Sequence, residues 1–213
     1  MQEHQSNCNK TLYIIRHGET DLNKRGIVQG RGMDTDLNAT GMKQSETFYR
    51  AYQHIPFDKI YTSTLKRTHQ TVKNFIDAGI PWVQYPGLDE LAWGIHEGKE
   101  ATQQTRIEFK RITTLWTKGH LHEKFEAGES PLEVKERQLV VLEHLIEKNN
   151  DTNLLICMHG RAMRLFLCLL TNLPLSEMET FPHSNTTLYK VKYDGADFSI
   201  IDYNNTDHLK YIY

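Results

Sequence analysis

The sequence predicts an α/β fold: a three-layer sandwich with a mixed, mostly parallel sheet, helices on both faces and a helical lid insertion. Three observations predict it. Short β-branched or apolar runs alternate with helix-length segments, the pattern of strands joined by crossover helices. The run NLLICM at 153–158 is apolar almost throughout, as expected of a strand buried on both faces. Near the C-terminus two strand-like runs flank Asp194-Gly195, a hairpin turn signal that makes the sheet mixed.

The elements follow in order. Residues 1–10, MQEHQSNCNK, lack the apolar core of a secretory signal and read as a polar lead-in. TLYII at 11–15 is a strand that stops abruptly at Arg16, His17 and Gly18. A glycine-rich loop then runs through Gly26, Gly30 and Gly32 to about Asn38, and loops of that length in compact domains are usually functional. Residues 41–53 are predicted helical, with Phe48, Tyr49 and Tyr52 on the apolar side, and Pro56 marks the end of the connection. Strand 59–62 precedes a helix capped by Ser63 or Thr64 that runs to about Ala78, with Gly79 just past its end. Residues 82–85 form a short strand, after which Pro86 and Gly87 turn the chain.

Residues 100–117 are weakly helical and 119–128 have no sustained period, so 88–129 is the expected lid insertion. Ser130, Pro131 and Glu133 then spell an N-cap, a first-turn proline and a capping box. Val134, Leu139, Leu142 and Leu145 supply that helix's apolar stripe, and its end is expected near Asn149. Strand 153–158 leads into His159 and Gly160, a helix covers about 161–171, and strands 186–193 and 197–203 complete the hairpin. There are no internal repeats and no low-complexity segment.

At 213 residues the chain is expected to be a single domain, 1–213, with a core large enough to need no disulfide staples. It carries 25 Lys and Arg against 27 Asp and Glu, a formal charge of −2, which argues against a broad basic surface for nucleic acid. The odd trio Cys8, Cys157 and Cys168 suits a reducing, cytoplasmic compartment better than a disulfide framework. The best apolar run, 162–170, is interrupted by Arg164 and falls short of the ~20 residues of a membrane span, so no membrane partner is expected. The unusual entry in the composition is histidine, 11 in all, scattered from His4 to His208.

Two of the histidines stand out by position. LYIIRHG at 12–18 and LLICMHG at 154–160 both end a strong strand in His-Gly. If the strands are parallel neighbours, His17 and His159 emerge together at the carboxyl edge of the sheet, where ligands of such sheets bind. The adjoining glycines would let a ligand approach the backbone. Each histidine alone also fits a semi-buried, hydrogen-bonded role. Arg16 adds a charge at the tip of a buried strand, costly unless paired. Arg67 lies in the first turns of a helix, where backbone N–H groups favour an anion, though by itself it fits a solvated helix residue too.

RHGETDLN (16–23), QGRGMDTDLNATG (29–41), TSTLKRTHQT (62–71), LDELAWGIHEG (88–98) and CMHGRAMR (157–164) resemble, in order and spacing, the signature segments of the histidine phosphatase superfamily, the phosphoglycerate mutase-like clan. The resemblance runs from about residue 12 to 193. It implies that His17 becomes phosphorylated, that Glu90 donates the proton to the leaving group, and that His159, Arg16 and Arg67 complete a phosphate pocket. It further implies that His159 acts as an imidazolium, and that Asn23, Gln29, Gly30 and the backbone near Gly160 add hydrogen bonds to phosphoryl oxygens. His183, in FPHSNT, aligns with a segment that approaches the pocket in relatives, and Trp116 and Lys118 fall where the lid would meet substrate. With four potential cations at phosphate, the resemblance implies neither metal nor other cofactor.

The expected function is hydrolysis of a small phosphorylated metabolite or sugar by a monomer or homodimer. The alternative is mutase-type phosphoryl transfer. Where the mutase branch carries an arginine pair after a lid tryptophan, this chain has Thr117 and Lys118 after Trp116, which favours hydrolysis. FEAGES at 125–130 is similar to the fructose-2,6-bisphosphatase and α-ribazole phosphatase branches. A non-catalytic phospho-ligand recognition module is a third reading, weakened because His17, Arg16, Arg67, Glu90 and His159 are all present. A metal hydrolase would need ligand clusters, and HLH at 120–122 is the closest pair of histidines. His69, His96, His120 and His122 are expected on the surface or lid.

Overall fold

The computed structural model describes residues 9–147 and 150–211, so most of the polar lead-in, Cys8 and Asn149 lie outside the described residues. In chain order the elements are β1 (Lys10–Arg16), α1 (Asp21–Lys24), α2 (Ala39–Tyr52), β2 (Lys59–Thr62), α3 (Lys66–Thr71), α4 (Lys73–Asp77) and β3 (Trp82–Gln84). They continue as α5 (Gln103–Thr117), α6 (Pro131–Ile146), β4 (Asn153–Met158), α7 (Gly160–Leu170), β5 (Leu188–Tyr193) and β6 (Phe198–Asn205). The six strands form one sheet in the order β3-β2-β4-β1-β5-β6. The first four are parallel; β5 runs antiparallel to β1, and β6 antiparallel to β5.

Strand alternation divides the core between the two faces of the sheet. Leu12 and Ile14 of β1, with Leu154 and Ile156 of β4, pack beneath Val134 and Val141 of α6 and Leu165 and Phe166 of α7. Tyr13 and Ile15, with Leu155 and Cys157, face Phe48 of α2 and Phe75 of α4. The lid joins the first of these cores through Trp93, Ile112, Trp116 and Phe125. Trp93 and Phe109 stack there at 4.8 Å between ring centroids. Cys157 and Cys168 are free and buried. Among the described residues no helix is long and apolar enough to cross a membrane.

Several local expectations are corrected. The single helix expected from Ser63 or Thr64 to Ala78 is two helices, broken at Val72. There the Ser45 hydroxyl sits 2.7 Å from Thr71 O and 3.3 Å from Gln70 O, taking carbonyls a continuing helix would use. Neither Ser63 nor Thr64 caps α3: Leu65 is the N-cap residue, without a side-chain bond, and the Thr64 hydroxyl and N–H go to Asp89. The α6 capping box forms as read, but the buried stripe is Val134, Gln138, Val141 and Leu145, while Leu139 is 40% exposed. The helix also ends earlier, at Ile146. The long loop after β1 contains α1, closed by a Thr20–Asn23 capping box.

Candidate active site

The topology gathers the chemistry at the carboxyl ends of β1, β4 and β2. β1 and β4 are parallel neighbours with Arg16 opposite Met158, so His17 and His159 leave adjacent strand ends in register. Their rings lie 5.1 Å apart, centroid to centroid. Because β5 is antiparallel to β1, the segment just before it, 183–187, returns to the same edge. Asn185 Nδ2 donates to His17 O at 3.0 Å, and Thr186 N–H donates to Arg16 O at 3.1 Å.

His17 is buried, and its Nδ1 lies 2.7 Å from Gly18 O. A carbonyl only accepts, so Nδ1 carries the proton and Nε2 keeps a free lone pair. Burial, then Arg67 and Arg16, holds the imidazole's pKa well below its ordinary value, which leaves the ring neutral. His159 is also neutral. Arg67 Nε–H donates to its Nδ1 at 3.2 Å, so Nε2 bears the proton and donates to Ser63 Oγ at 2.7 Å. Burial and the charge of Arg67 push its pKa far down. The expected second imidazolium is therefore corrected: in this arrangement His159 is an uncharged link between Ser63 and Arg67.

The two arginines differ. Arg67, 0% exposed, is locked by His159 and by bonds from Nη1 to Met33 O (2.5 Å) and from Nη2 to Gly30 O (3.3 Å). Among the described residues Arg16 makes one side-chain hydrogen bond, from Nη1 to His183 Nδ1 at 3.3 Å, and its Nε is buried without a partner. Burial lowers its pKa to about 10, against the opposing pull of the Glu90 carboxylate. An unpaired guanidinium N–H at this edge is a donor suited to an anionic oxygen.

Glu90 reaches this edge from the turn after β3. Its Oε1 accepts from Leu91 N and Ala162 N, each at 2.9 Å, and Oε2 from Arg161 N at 3.2 Å. The carboxyl thus sits on the N-terminus of α7. Arg137 of α6 holds the segment that delivers it, donating to the carbonyls of Gly87 (2.8 Å), Asp89 (2.9 Å) and Glu90 (3.1 Å) and pairing with Glu129.

Other residues singled out in the sequence have different roles. Asn23 Oδ1 accepts from Thr20 N and from Asn185 Nδ2, both at 3.3 Å. Gln29, expected on phosphate, is tied at both ends inside its loop, donating to Thr20 Oγ1 (2.6 Å) and accepting from Thr35 Oγ1 (2.5 Å). The glycines make room for the protein's own close packing. A Cβ on Gly18 would lie 2.8 Å from Gly41 O, one on Gly30 1.9 Å from the Glu97 carboxyl, and one on Gly160 2.6 Å from the His183 ring.

Trp116 is 1% exposed with its indole N–H on Glu123 O, so it belongs to the lid's own core. Lys118 is exposed at the C-terminal cap of α5. His183 does reach the site. Its Nδ1 accepts from Arg16, and burial with Arg16, Arg164 and Arg161 pushes its pKa down to about 3. His69 stacks on Trp82, His96 lies 3.1 Å from Glu108, and His120 and His122 pair with each other. Among the described residues no group of three or more His, Cys, Asp or Glu side chains is placed to hold a metal ion.

Sequence reasoning missed Ser63, Arg137, Asn185 and Thr71, whose Oγ1 accepts from Gly18 N at 2.8 Å. Ser63 and Thr71 were inside a recognised segment, TSTLKRTHQT, and Asn185 inside FPHSNT; Arg137 had no signal beyond a polar position on a helix.

Comparison with known proteins follows the same outline. A family model described as histidine phosphatase superfamily (branch 1) matches residues 12–206. A broad-specificity phosphatase of Saccharomyces cerevisiae is 32% identical over 209 residues, covering 93% of this chain and 86% of its own. A Yersinia pestis protein named as a probable phosphoglycerate mutase is 29% identical over 188 residues, covering 87% of this chain and 86% of its own. Among solved structures, YhfR of Bacillus stearothermophilus matches with a TM-score of 0.80 at 25% identity, over 94% of this chain and 99% of that one.

Proposed function

The chain belongs to the histidine phosphatase superfamily, and on that premise we propose that it is a metal-independent phosphomonoesterase acting on a small phosphorylated metabolite or sugar through a phosphohistidine on His17. The observation that carries this reading is the tautomer of His17. With Nδ1–H committed to Gly18 O, the free lone pair of Nε2 is the nucleophile. Nε2 attacks phosphorus and the ester P–O bond breaks. The ring gains positive charge as it does so, and Gly18 O, already bound to Nδ1–H, offsets it. Arg16 and Arg67 stabilise the negative oxygens in transit, the unpaired Nε–H of Arg16 being an available donor.

Glu90, in its acid form, gives a proton to the departing oxygen. It then takes one from water, whose oxygen attacks the phosphohistidine. The P–N bond breaks, inorganic phosphate leaves and His17 returns to its neutral form. The substrate and products are soluble small molecules, with neither nucleic acid nor membrane as partner. The free thiols of Cys157 and Cys168 support a cytoplasmic location for a monomer or homodimer.

Hydrolysis is favoured over mutase transfer because Thr117 and Lys118 stand where that branch carries two arginines. The test is turnover of a generic phosphomonoester in chelator, with phosphate counted in water and on added acceptor alcohols. Release to water that is abolished in His17→Ala is expected. No turnover by the wild-type chain refutes the phosphatase reading, and transfer that outpaces release favours the mutase.

A further inference from the structure

A left-handed residue braces the strand end that carries His17. Thr186 has φ 56°, a region that a β-branched side chain rarely enters, and it is 0% exposed. Such a conformation persists only where its surroundings hold it. The Thr186 N–H donates to Arg16 O at 3.1 Å and to His17 O at 3.4 Å, and Arg16 N–H donates in turn to Thr187 O at 3.1 Å. The chain at 186–187 thus grips Arg16 through both backbone groups, while Asn185 Nδ2 reaches His17 O beside it.

The side chain of Thr186 is held from outside the site. His208, in the 3-10 turn Asp207–Tyr211 that follows β6, lies with Nε2 3.1 Å from Thr186 Oγ1. Its ring is 2% exposed and packs edge-on to Phe48 at 5.3 Å and Tyr52 at 6.1 Å, centroid to centroid, both on α2. Its Nδ1 is buried with no partner among the described residues. A proton on Nδ1 would leave a buried N–H unmet, so Nε2 carries the proton and donates to the Thr186 hydroxyl. Burial keeps the ring in this neutral form, lowering its pKa to about 4 against the pull of Asp207.

A place between two aromatic rings needs no imidazole. Phenylalanine would fill it without burying an unmet nitrogen, which costs stability. What sets histidine apart here is the bond to Thr186.

We propose that His208 is a positioning residue for His17. By tying the Thr186 hydroxyl to α2 it keeps Thr186 left-handed, with its N–H aimed at the backbone of Arg16 and His17, and so fixes where His17 Nε2 stands. The proposal rests on the phosphatase reading for what His17 does there. His208 touches no reacting atom; it acts through the hydroxyl and then the peptide N–H of Thr186. A nucleophile displaced from its line of attack loses rate more than binding, so the effect falls on kcat rather than KM.

The test uses the full-length chain, with turnover of a generic phosphomonoester and amide hydrogen exchange followed by NMR. His208→Phe keeps a ring between Phe48 and Tyr52 and removes the bond. Its kcat is expected to fall about tenfold with KM within about twofold. The amide at position 186 should exchange faster while that of Ile60, in β2, is unchanged. Thr186→Val, which keeps the shape and loses the hydroxyl, is expected to give the same fall, and His208→Gln, which restores an N–H donor, to recover part of it. In a Thr186→Gly background, where positive φ carries no steric cost, His208→Phe should change kcat less than about twofold.

A kcat unmoved by both His208→Phe and Thr186→Val overturns the proposal. So does a fall equally large in the Thr186→Gly background, or exchange that quickens as much at Ile60 as at position 186, since either reduces His208 to a filler of the core. Absent hydrolysis by the wild-type chain, with exchange at position 186 still answering to His208→Phe, would refute the phosphatase reading and uphold the anchoring of Thr186.

Discussion

His17 and His159 are both uncharged and lie 5.1 Å apart, yet their hydrogen bonds prepare them for different work. One is held by a carbonyl that leaves Nε2 free; the other has both nitrogens occupied, by Arg67 and by Ser63. Ser63 is thus a positioning residue: it accepts from His159 and from Leu65 N and contacts Thr68 Oγ1 at 3.0 Å. Ser63→Ala should leave the buried His159 Nε2–H without a partner and cost about 1–3 kcal/mol in a urea melt. If the tilt of His159 matters to Arg67, kcat should fall more than KM changes, and Ser63→Thr should restore part of it. A fall in stability with kinetics untouched would confine Ser63 to a structural role. His183 illustrates how a residue changes meaning with its neighbours. In sequence it was a loop histidine; in the fold it is the hydrogen-bond partner of Arg16 and the reason Gly160 has no room for a side chain.

Between elements, the decisive contact is made by α6. Its Arg137 spends its donors on the backbone of 86–90 and on Glu129, and so ties the turn after β3 to the helix that precedes β4. This turn carries Glu90 to the N-terminus of α7. Arg137→Met keeps the aliphatic bulk but strands several carbonyls and removes one of the two arginines that pair with the Glu129 carboxylate. A loss of about 3 kcal/mol in unfolding free energy is expected, together with a drop in kcat for substrates with poor leaving groups, which need the proton most. Retained activity on poor leaving groups would show that Glu90 keeps its place without Arg137. The start of α2 makes a second such contact, where a Cβ on Gly41 would lie 2.1 Å from Glu19 O, just beyond His17. The signature segments QGRGMDTDLNATG and RHGETDLN are thus packed against each other.

Across the molecule, burial has placed several histidines in environments that disfavour their charged form. His17 and His159 lie well below the ordinary value of 6.5, His183 at about 3 and His208 at about 4, with burial the leading cause each time. Their pKa values are depressed in the folded chain, so below 6.5 the unfolded chain binds more protons and folding stability falls with pH. Above that value their contribution is fully present. Glu97, raised by burial, acts in the opposite sense but is a single group. Unfolding free energy should therefore change little around neutral pH and fall as pH drops toward 4, by about 1.4 kcal/mol per pH unit for each histidine concerned. A chain equally stable at acid and neutral pH would refute these assignments.

The order of strands and helices was legible in the sequence because strand alternation, capping residues and turn residues are local signals, and the paired His-Gly strand ends pointed to one edge of a parallel sheet. Element ends and the break at Val72 were not, since they depend on Ser45 taking carbonyls from another helix. The site divides in the same way. Sequence alone determined which residue types stand at the strand ends and that the lid lacks an arginine pair. Only the tertiary structure decided that His159 is neutral, that Gln29 serves its own loop, and that Ser63, Arg137 and Asn185 brace the pocket. The physical reason is that proton positions and charge are set by hydrogen-bond partners and burial. Ser63 and His159 are 96 residues apart and Asn185 and His17 are 168 apart, separations that no local pattern spans.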